Sequence, residues 1–220
     1  MNTELKKRII TSIGLLSLLT TMYFYSFIMI GALLIMAIII WIEFYALISK
    51  ILPKNKFKDK FLRYLYKTAS LLYLSLLVYL IFVIESNYPN LKVYLFYSIL
   101  VAILSDIGGL LFGKTFKGKK LTKISPNKTI SGAIGSFIFS LLLVPFFYED
   151  FNLNNILILS LITITISATS QLGDLFVSLL KRQAKVKDTS DLLPGHGGFL
   201  DRVDGIIFAT PIGVILFTLF

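Results

Sequence analysis

The chain has 220 residues, of which 56% are hydrophobic and 15% charged, with no cysteine and a formal net charge of +10. That balance excludes a soluble globular domain, which needs more polar surface, and the missing cysteine excludes disulfide and thiolate chemistry. The excess positive charge does not point to nucleic acid, because the cations sit in short runs between apolar segments.

Seven segments are long enough to cross roughly 30 Å of hydrocarbon. They lie near residues 9–27, 29–49, 67–85, 92–112, 130–148, 154–180 and 203–220. The expected fold is all-α, a polytopic bundle of about seven transmembrane helices. The first apolar run is too long and uninterrupted for a cleaved signal peptide, and no small-residue cleavage site follows it. The connections between the segments alternate strictly in charge. Before the first segment and in the connections 50–67, 114–128 and 181–202 lie 21 of the 22, leaving Lys92 on the other side. The positive-inside rule therefore predicts a cytoplasmic N-terminus. The run Lys50 to Lys67 reads as a topology determinant with some attraction for anionic lipid heads. Glu43, in the second segment, belongs to no motif, and the sequence offers it nothing beyond an interhelical contact.

The fourth segment ends SDIGGLLFGKT, with Asp106 eight residues before Lys114. Gly108 to Thr115 formally matches a P-loop. That loop works between a strand and a helix, and here it begins inside an apolar helix with no parallel-sheet pattern nearby. Lys114 is left as a point charge for phosphate. Asn127-Lys128-Thr129 matches a glycosylation acceptor but falls on the predicted cytoplasmic side, so it is set aside.

The sixth segment carries a polar stripe. At about 100° per residue, Ser160, Thr163, Ser167, Gln171, Asp174, Ser178, Lys181, Arg182 and Lys185 share one face of an otherwise apolar helix. Such a face belongs toward a bundle interior or a watery cavity. The hydroxyls alone are explained by bonds to backbone or neighbouring helices; Asp174 is not, since a mid-membrane carboxylate costs on the order of 3 kcal/mol. Asp174 lies eight residues before Arg182, so it and Asp106 are expected at equal depth, about 12 Å inside the boundary, sharing a pocket.

Between the last two segments runs SLLKRQAKVKDTSDLLPGHGGFLDRVD, from Ser178 to Asp204. Lys181, Arg182, Lys185 and Lys187, the only histidine, a glycine-rich turn and the pair Asp201/Asp204 are concentrated where membrane insertion asks for none of them. Phosphates held by cations, backbone N–H groups and a carboxylate-bound metal match this mixture. Asp201 and Asp204, at i and i+3, share a helix face. With no cysteine and one histidine, Asp174, Asp201 and Asp204 are the expected ligands of a hard cation, Mg²⁺ first and Mn²⁺ as a substitute, with room for a second cation.

These residues resemble the phosphatidate cytidylyltransferase (CDP-diacylglycerol synthase) family. Its pattern S-x-x-K-R, then K-D, then P-x-H-G-G-x-x-D-R-x-D, is met without gaps. The matching residues are Ser178, Lys181, Arg182, Lys187, Asp188, Pro194, His196, Gly197, Gly198, Asp201, Arg202 and Asp204. Gly173-Asp174 and Ser125-Pro126-Asn127-Lys128-Thr129 followed by Gly132 match as well. The chain departs from the pattern at Gly108-Gly109-Leu110 and at Ser131, and its N-terminal half is short. The resemblance covers roughly 100–220, implying helices 1–99 as scaffold and 100–220 as catalytic region with loops 113–129 and 181–204.

The resemblance implies an enzyme of the bacterial inner membrane, active on its cytoplasmic side. It would join CTP to phosphatidic acid among the membrane lipids, releasing pyrophosphate, and the family suggests a homodimer. Asp174, Asp201, Asp204 and Lys181 are the implied catalytic residues. Asp106, Lys114, Ser125, Lys128, Thr129, Ser178, Arg182, Lys187, Asp188, His196, Gly197, Gly198 and Arg202 are the implied substrate contacts. A phosphomonoester oxygen is largely ionised at pH 7, so the nucleophile needs no general base; the difficulty is electrostatic. Another CTP-dependent lipid-phosphate cytidylyltransferase, a lipid kinase or a transporter is the alternative. A transporter would not need the phosphate-type loop, and no inverted repeat is visible.

Overall fold

A computed structural model of the chain describes residues 3–53, 56–122, 124–149, 151, 155–193 and 197–219, with residues 3–9 described by backbone alone. The described residues form eight α-helices, one 3-10 turn and two isolated β-bridges. The helices are α1 (Thr3–Phe24), α2 (Ser26–Ile51), α3 (Phe57–Asn87), α4 (Lys92–Phe116), α5 (Ile130–Leu141), α6 (Val144–Phe147), α7 (Ile156–Gln183) and α8 (Leu200–Leu219). Six helical spans, from α2 through α8, are long and apolar enough to cross a membrane, with α5 and α6 counted together; in α1 the apolar part is Ile10–Phe24. The protein is an all-α, multi-pass membrane protein.

Two boundaries differ from the sequence expectation. The cationic run after Lys50 is largely helical, because α3 starts at Phe57 rather than near 67. No glycine or proline follows Pro53 there, and Asp59 in the first turn favours the helix dipole. At 1.5 Å per residue α3 is about 46 Å long, more than a bilayer core requires, so its cationic first turns extend the helix. The segment 130–148, in contrast, is interrupted. Leu142 and Leu143 donate to Phe139 and Ser140 at 3.2 Å, a tightened turn, and Pro145 sits in the first turn of α6, where its missing N–H does no harm.

By packing, the chain forms two compact units, Met1–Pro89 with Leu180–Val203, and Asn90–Leu179 with Asp204–Phe220. In the first unit Met29, Leu47, Ile48, Leu74, Ile81 and Ile84 are buried. Trp41 donates its indole N–H to the Lys67 carbonyl at 3.1 Å, and the Lys67 ammonium lies 5.0 Å and 4.7 Å from the Trp41 and Tyr45 ring centroids.

The core of the second unit gathers Tyr97, Val101, Ala102, Val144, Phe151, Leu159, Ile162, Ile166, Ala209 and Phe217. Tyr97 makes edge contacts with Phe147, Phe151 and Phe217, and its hydroxyl meets that of Thr163 at 2.6 Å. Ser105 and Ser167 hydroxyls meet at 2.9 Å. The polar stripe of α7 thus turns inward at Thr163 and Ser167, both fully buried, as its periodicity predicts. Helices α4 and α5 touch backbone to backbone. A Cβ on Gly132 would lie 2.8 Å from the Gly109 carbonyl, and one on Gly135 would lie 2.8 Å from the Gly108 carbonyl and overlap Phe112. The glycines that mimic a P-loop lie inside α4, and two of them, Gly108 and Gly109, serve this close packing.

Candidate active site

Between α4 and α5 and the loop that joins them lies a cleft of about 640 Å³, the size of a small-molecule site. Asp106, Gly109, Gly113 and Lys114 come to it from α4, and Gln171 and Asp174 from α7. Ser125, Asn127, Lys128 and Thr129 come from the loop, and Gly132 and Ser136 from α5. All of these residues belong to the second unit.

The loop is shaped by its own backbone. Leu121 donates to the Lys128 carbonyl at 2.8 Å, Ile130 to that of Lys119 at 3.0 Å, and Lys128 to that of Ser125 at 3.1 Å. Lys117 and Gly118 reverse the chain with φ of 49° and 107°. Thr129 then caps α5, its hydroxyl accepting the Gly132 N–H at 3.1 Å. Ser131, one of the departures from the family pattern, donates its hydroxyl to the Lys117 carbonyl. The start of α5 therefore faces the cleft, where the positive end of its dipole favours an anion although its Ile130 and Gly132 N–H groups are already bonded.

Within the cleft Lys128 and Asp174 form an ion pair, their side chains about one-quarter exposed (26% and 25%). Ser178 donates to the other Asp174 oxygen at 3.2 Å. Asp106 and Asp174, expected at equal depth, both line this cleft, and so do Lys114, Ser125, Lys128 and Thr129. Asp204 is buried, and one of its oxygens accepts the Gly205 N–H at 3.0 Å.

The first unit holds the remaining signature residues. Helix α7 ends in a Schellman turn: Val186 donates to Lys181 and Lys185 to Arg182, with Lys185 left-handed at φ 56°. From the last turn of α7 Lys181 forms a 2.6 Å ion pair with Asp201, whose side chain is 4% exposed. The second Asp201 oxygen accepts from the Thr189 N–H at 2.7 Å, the Thr189 hydroxyl at 2.9 Å and the Gly198 N–H at 3.1 Å. The Gly198 amide, expected among donors free for phosphate, is used inside the loop. Gly197 has φ 80°, and a Cβ there would press on Asp188 at 3.1 Å, which accounts for a glycine at that position. Arg182, Lys187, Asp188 and Arg202 are exposed. Pro194 and His196 lie outside the described residues.

The donor set fits a hard cation by type, since it is all oxygen, and Asp174 and Asp201 each already meet a positive charge in a lysine ammonium. Among the described residues, no group of three or more His, Cys, Asp or Glu side chains is gathered to hold a metal ion. Asp201 in particular is held by the Lys181 ammonium and two backbone N–H groups, and shares the single Thr189 hydroxyl hydrogen with Glu43.

Glu43 is the residue whose contact with the signature loop sequence reasoning missed. It is 5% exposed and accepts four hydrogen bonds from the signature loop: Thr189 and Ser190 hydroxyls at 3.0 Å and 2.5 Å, and Phe199 and Leu200 N–H groups at 3.0 Å and 2.7 Å. A lone glutamate in an apolar segment was the available signal, because an intramembrane carboxylate demands partners.

The model of the cytidylyltransferase family matches residues 1–220. The chain is similar to the phosphatidate cytidylyltransferase of Staphylococcus haemolyticus, 49% identical over 126 residues, which are 56% of this chain and 48% of that protein. It is 39% identical over 181 residues to that of Staphylococcus aureus, covering 81% and 67% of the two chains. The Rickettsia bellii enzyme of the same name is 40% identical over 141 residues, 60% of each. The matches thus span from about half to two thirds of these relatives' lengths. The chain belongs to the cytidylyltransferase family.

Proposed function

We propose that this protein transfers the cytidylyl group of CTP to phosphatidate, giving CDP-diacylglycerol and pyrophosphate. The observation that carries the reading is the cleft of the second unit. Lys128, Lys114 and the capped start of α5 line one space that also holds carboxylates, a setting for a triphosphate. The names of the relatives support the same substrate pair.

In this reaction a phosphate oxygen of phosphatidate attacks the α-phosphorus of CTP. The bond from that phosphorus to the α,β-bridging oxygen breaks, and pyrophosphate leaves with the electron pair. Both reactants are anionic, so the protein's task is to hold positive charge where they meet. Lys128 and Lys114 are assigned to the triphosphate. Lys181, Arg182, Lys187 and Arg202 are assigned to neutralise phosphate charge, with Ser125, Thr129, Ser178, Asp188 and His196 as further substrate contacts. A divalent cation, Mg²⁺ before Mn²⁺, would be held by Asp174 and Asp204 of the second unit, Asp201 being taken up by its own donors, and would supply further neutralisation of the triphosphate. The reading puts these loops on the cytoplasmic face of the inner membrane and the protein in a homodimer.

Labelled CTP separates the alternatives. With purified protein and phosphatidate, label at the α-phosphate should enter the lipid and label at the γ-phosphate should not. Entry of γ-label identifies a lipid kinase, and no entry of either label contradicts the reading.

A further inference from the structure

The carboxylate of Glu43 lies in α2, far in sequence from every signature residue, and it is bound on both oxygens by the segment 189–200. One oxygen accepts from Ser190 and from the Phe199 N–H, the other from Thr189 and from the Leu200 N–H. Leu200 opens α8, so its amide is one of the N–H groups a helix start leaves without an internal acceptor. The Thr189 hydroxyl stands within 3.0 Å of Glu43 and 2.9 Å of Asp201, so one residue ties both carboxylates to the loop. The loop is closed so tightly here that no side chain fits at Gly198. A Cβ there would overlap the Thr189 hydroxyl and lie 2.9 Å from both the Glu43 carboxylate and the Ser190 N–H.

We propose that Glu43 is a positioning residue, which fastens Thr189, Ser190, Phe199 and Leu200 to α2 and so sets where Asp201, its partner Lys181 and Arg202 stand. The proposal rests on the cytidylyltransferase reading for its kinetic consequence, but its structural content is independent of it. Glutamine is the informative replacement. Each Glu43 oxygen faces two donors, and an amide nitrogen can accept from neither, so Glu43→Gln keeps the volume and breaks half of the fastening.

The test pairs kinetics with hydrogen–deuterium exchange on the purified chain in nanodiscs. In Glu43→Gln, turnover should fall on the order of 10²-fold, the scale of a misplaced catalytic group, while KM for CTP moves by less than about threefold. The Phe199 and Leu200 amides should exchange at least about tenfold faster, with Gly132 at the start of α5 unchanged. Ser190→Ala and Thr189→Val should change both readouts in the same direction and non-additively with Glu43→Gln, and they carry the test if the glutamine variant does not fold. Wild-type turnover or wild-type exchange at Phe199 and Leu200 overturns the proposal. So does faster exchange spread over the whole chain, which marks a general structural role. If the unaltered chain forms no cytidylyl lipid while the exchange change stays local, the cytidylyltransferase reading fails and the anchoring by Glu43 stands.

Discussion

Lys181 and Asp201, twenty residues apart, form a 2.6 Å ion pair in which the aspartate is 4% exposed. The lysine ends α7 and the aspartate begins α8, so the pair clasps the ends of the signature loop. Removing the lysine leaves a buried carboxylate with neutral donors only.

Lys181→Ala should therefore lower activity tenfold or more, as should Lys128→Ala and Arg202→Ala, since charge-assisted hydrogen bonds are worth roughly 1.5–3 kcal/mol. Steady-state kinetics on purified variants checks this. Lys56→Ala and Lys58→Ala, on cations outside both sites, should stay near the unaltered rate. Equal losses in the two groups would remove the assignment of phosphate binding to the cleft and the signature loop.

A cysteine-free chain allows topology to be read with single cysteines. Thr189 is an unsuitable position, being 6% exposed and bonded to two carboxylates. Leu192 is 53% exposed. Leu192→Cys should react with a membrane-impermeant thiol reagent in inside-out vesicles and stay unlabelled in intact spheroplasts. Labelling from the outer side contradicts a cytoplasmic loop.

The contact between α4 and α5 predicts a graded response to alanine. Gly135→Ala and Gly108→Ala place a Cβ against a carbonyl and a phenylalanine of the facing helix. Overpacking of this kind costs about 1–3 kcal/mol, so thermal unfolding in detergent should shift down. Gly31→Ala, whose Cβ meets nothing within 4 Å, should leave the midpoint unchanged or raise it slightly. A Gly135→Ala midpoint equal to that of Gly31→Ala would contradict the close packing.

Much of this molecule was legible from its residues. Apolar run length gave the spans, and the period of Thr163, Ser167, Gln171 and Asp174 gave the buried face of α7. The cleft was anticipated from the equal depth of Asp106 and Asp174 and from the motif around Lys128. What was not legible depends on contacts distant in sequence. Glu43 matches nothing nearby, because its partners lie about 150 residues away and include two backbone amides. The Gly108 to Thr115 run deceived in another way. A glycine spacing does not say whether it admits a phosphate or another helix, and here Gly132 and Gly135 on α5 decide it. The helical start of α3 was hidden because charged residues read equally well as loop or as the end of a long helix.

The proposed metal dependence rests on an oxygen-only donor set. Activity should vanish with EDTA and return with Mg²⁺, and to a smaller degree with Mn²⁺, but not with Zn²⁺. Asp174→Asn and Asp204→Asn should each fold and each lose several orders of magnitude of activity, with losses that do not add. Full activity in EDTA would leave the lysines alone to neutralise the triphosphate.

The most direct test of the account is a count of products from purified protein given CTP, phosphatidate and Mg²⁺. Cytidylyl lipid and pyrophosphate should appear in equal amounts, and Lys128→Ala or Asp174→Asn should abolish both while Lys56→Ala retains them. Pyrophosphate released without cytidylyl lipid, or undiminished lipid product from both cleft variants, would contradict the claim that this cleft transfers a cytidylyl group to phosphatidate.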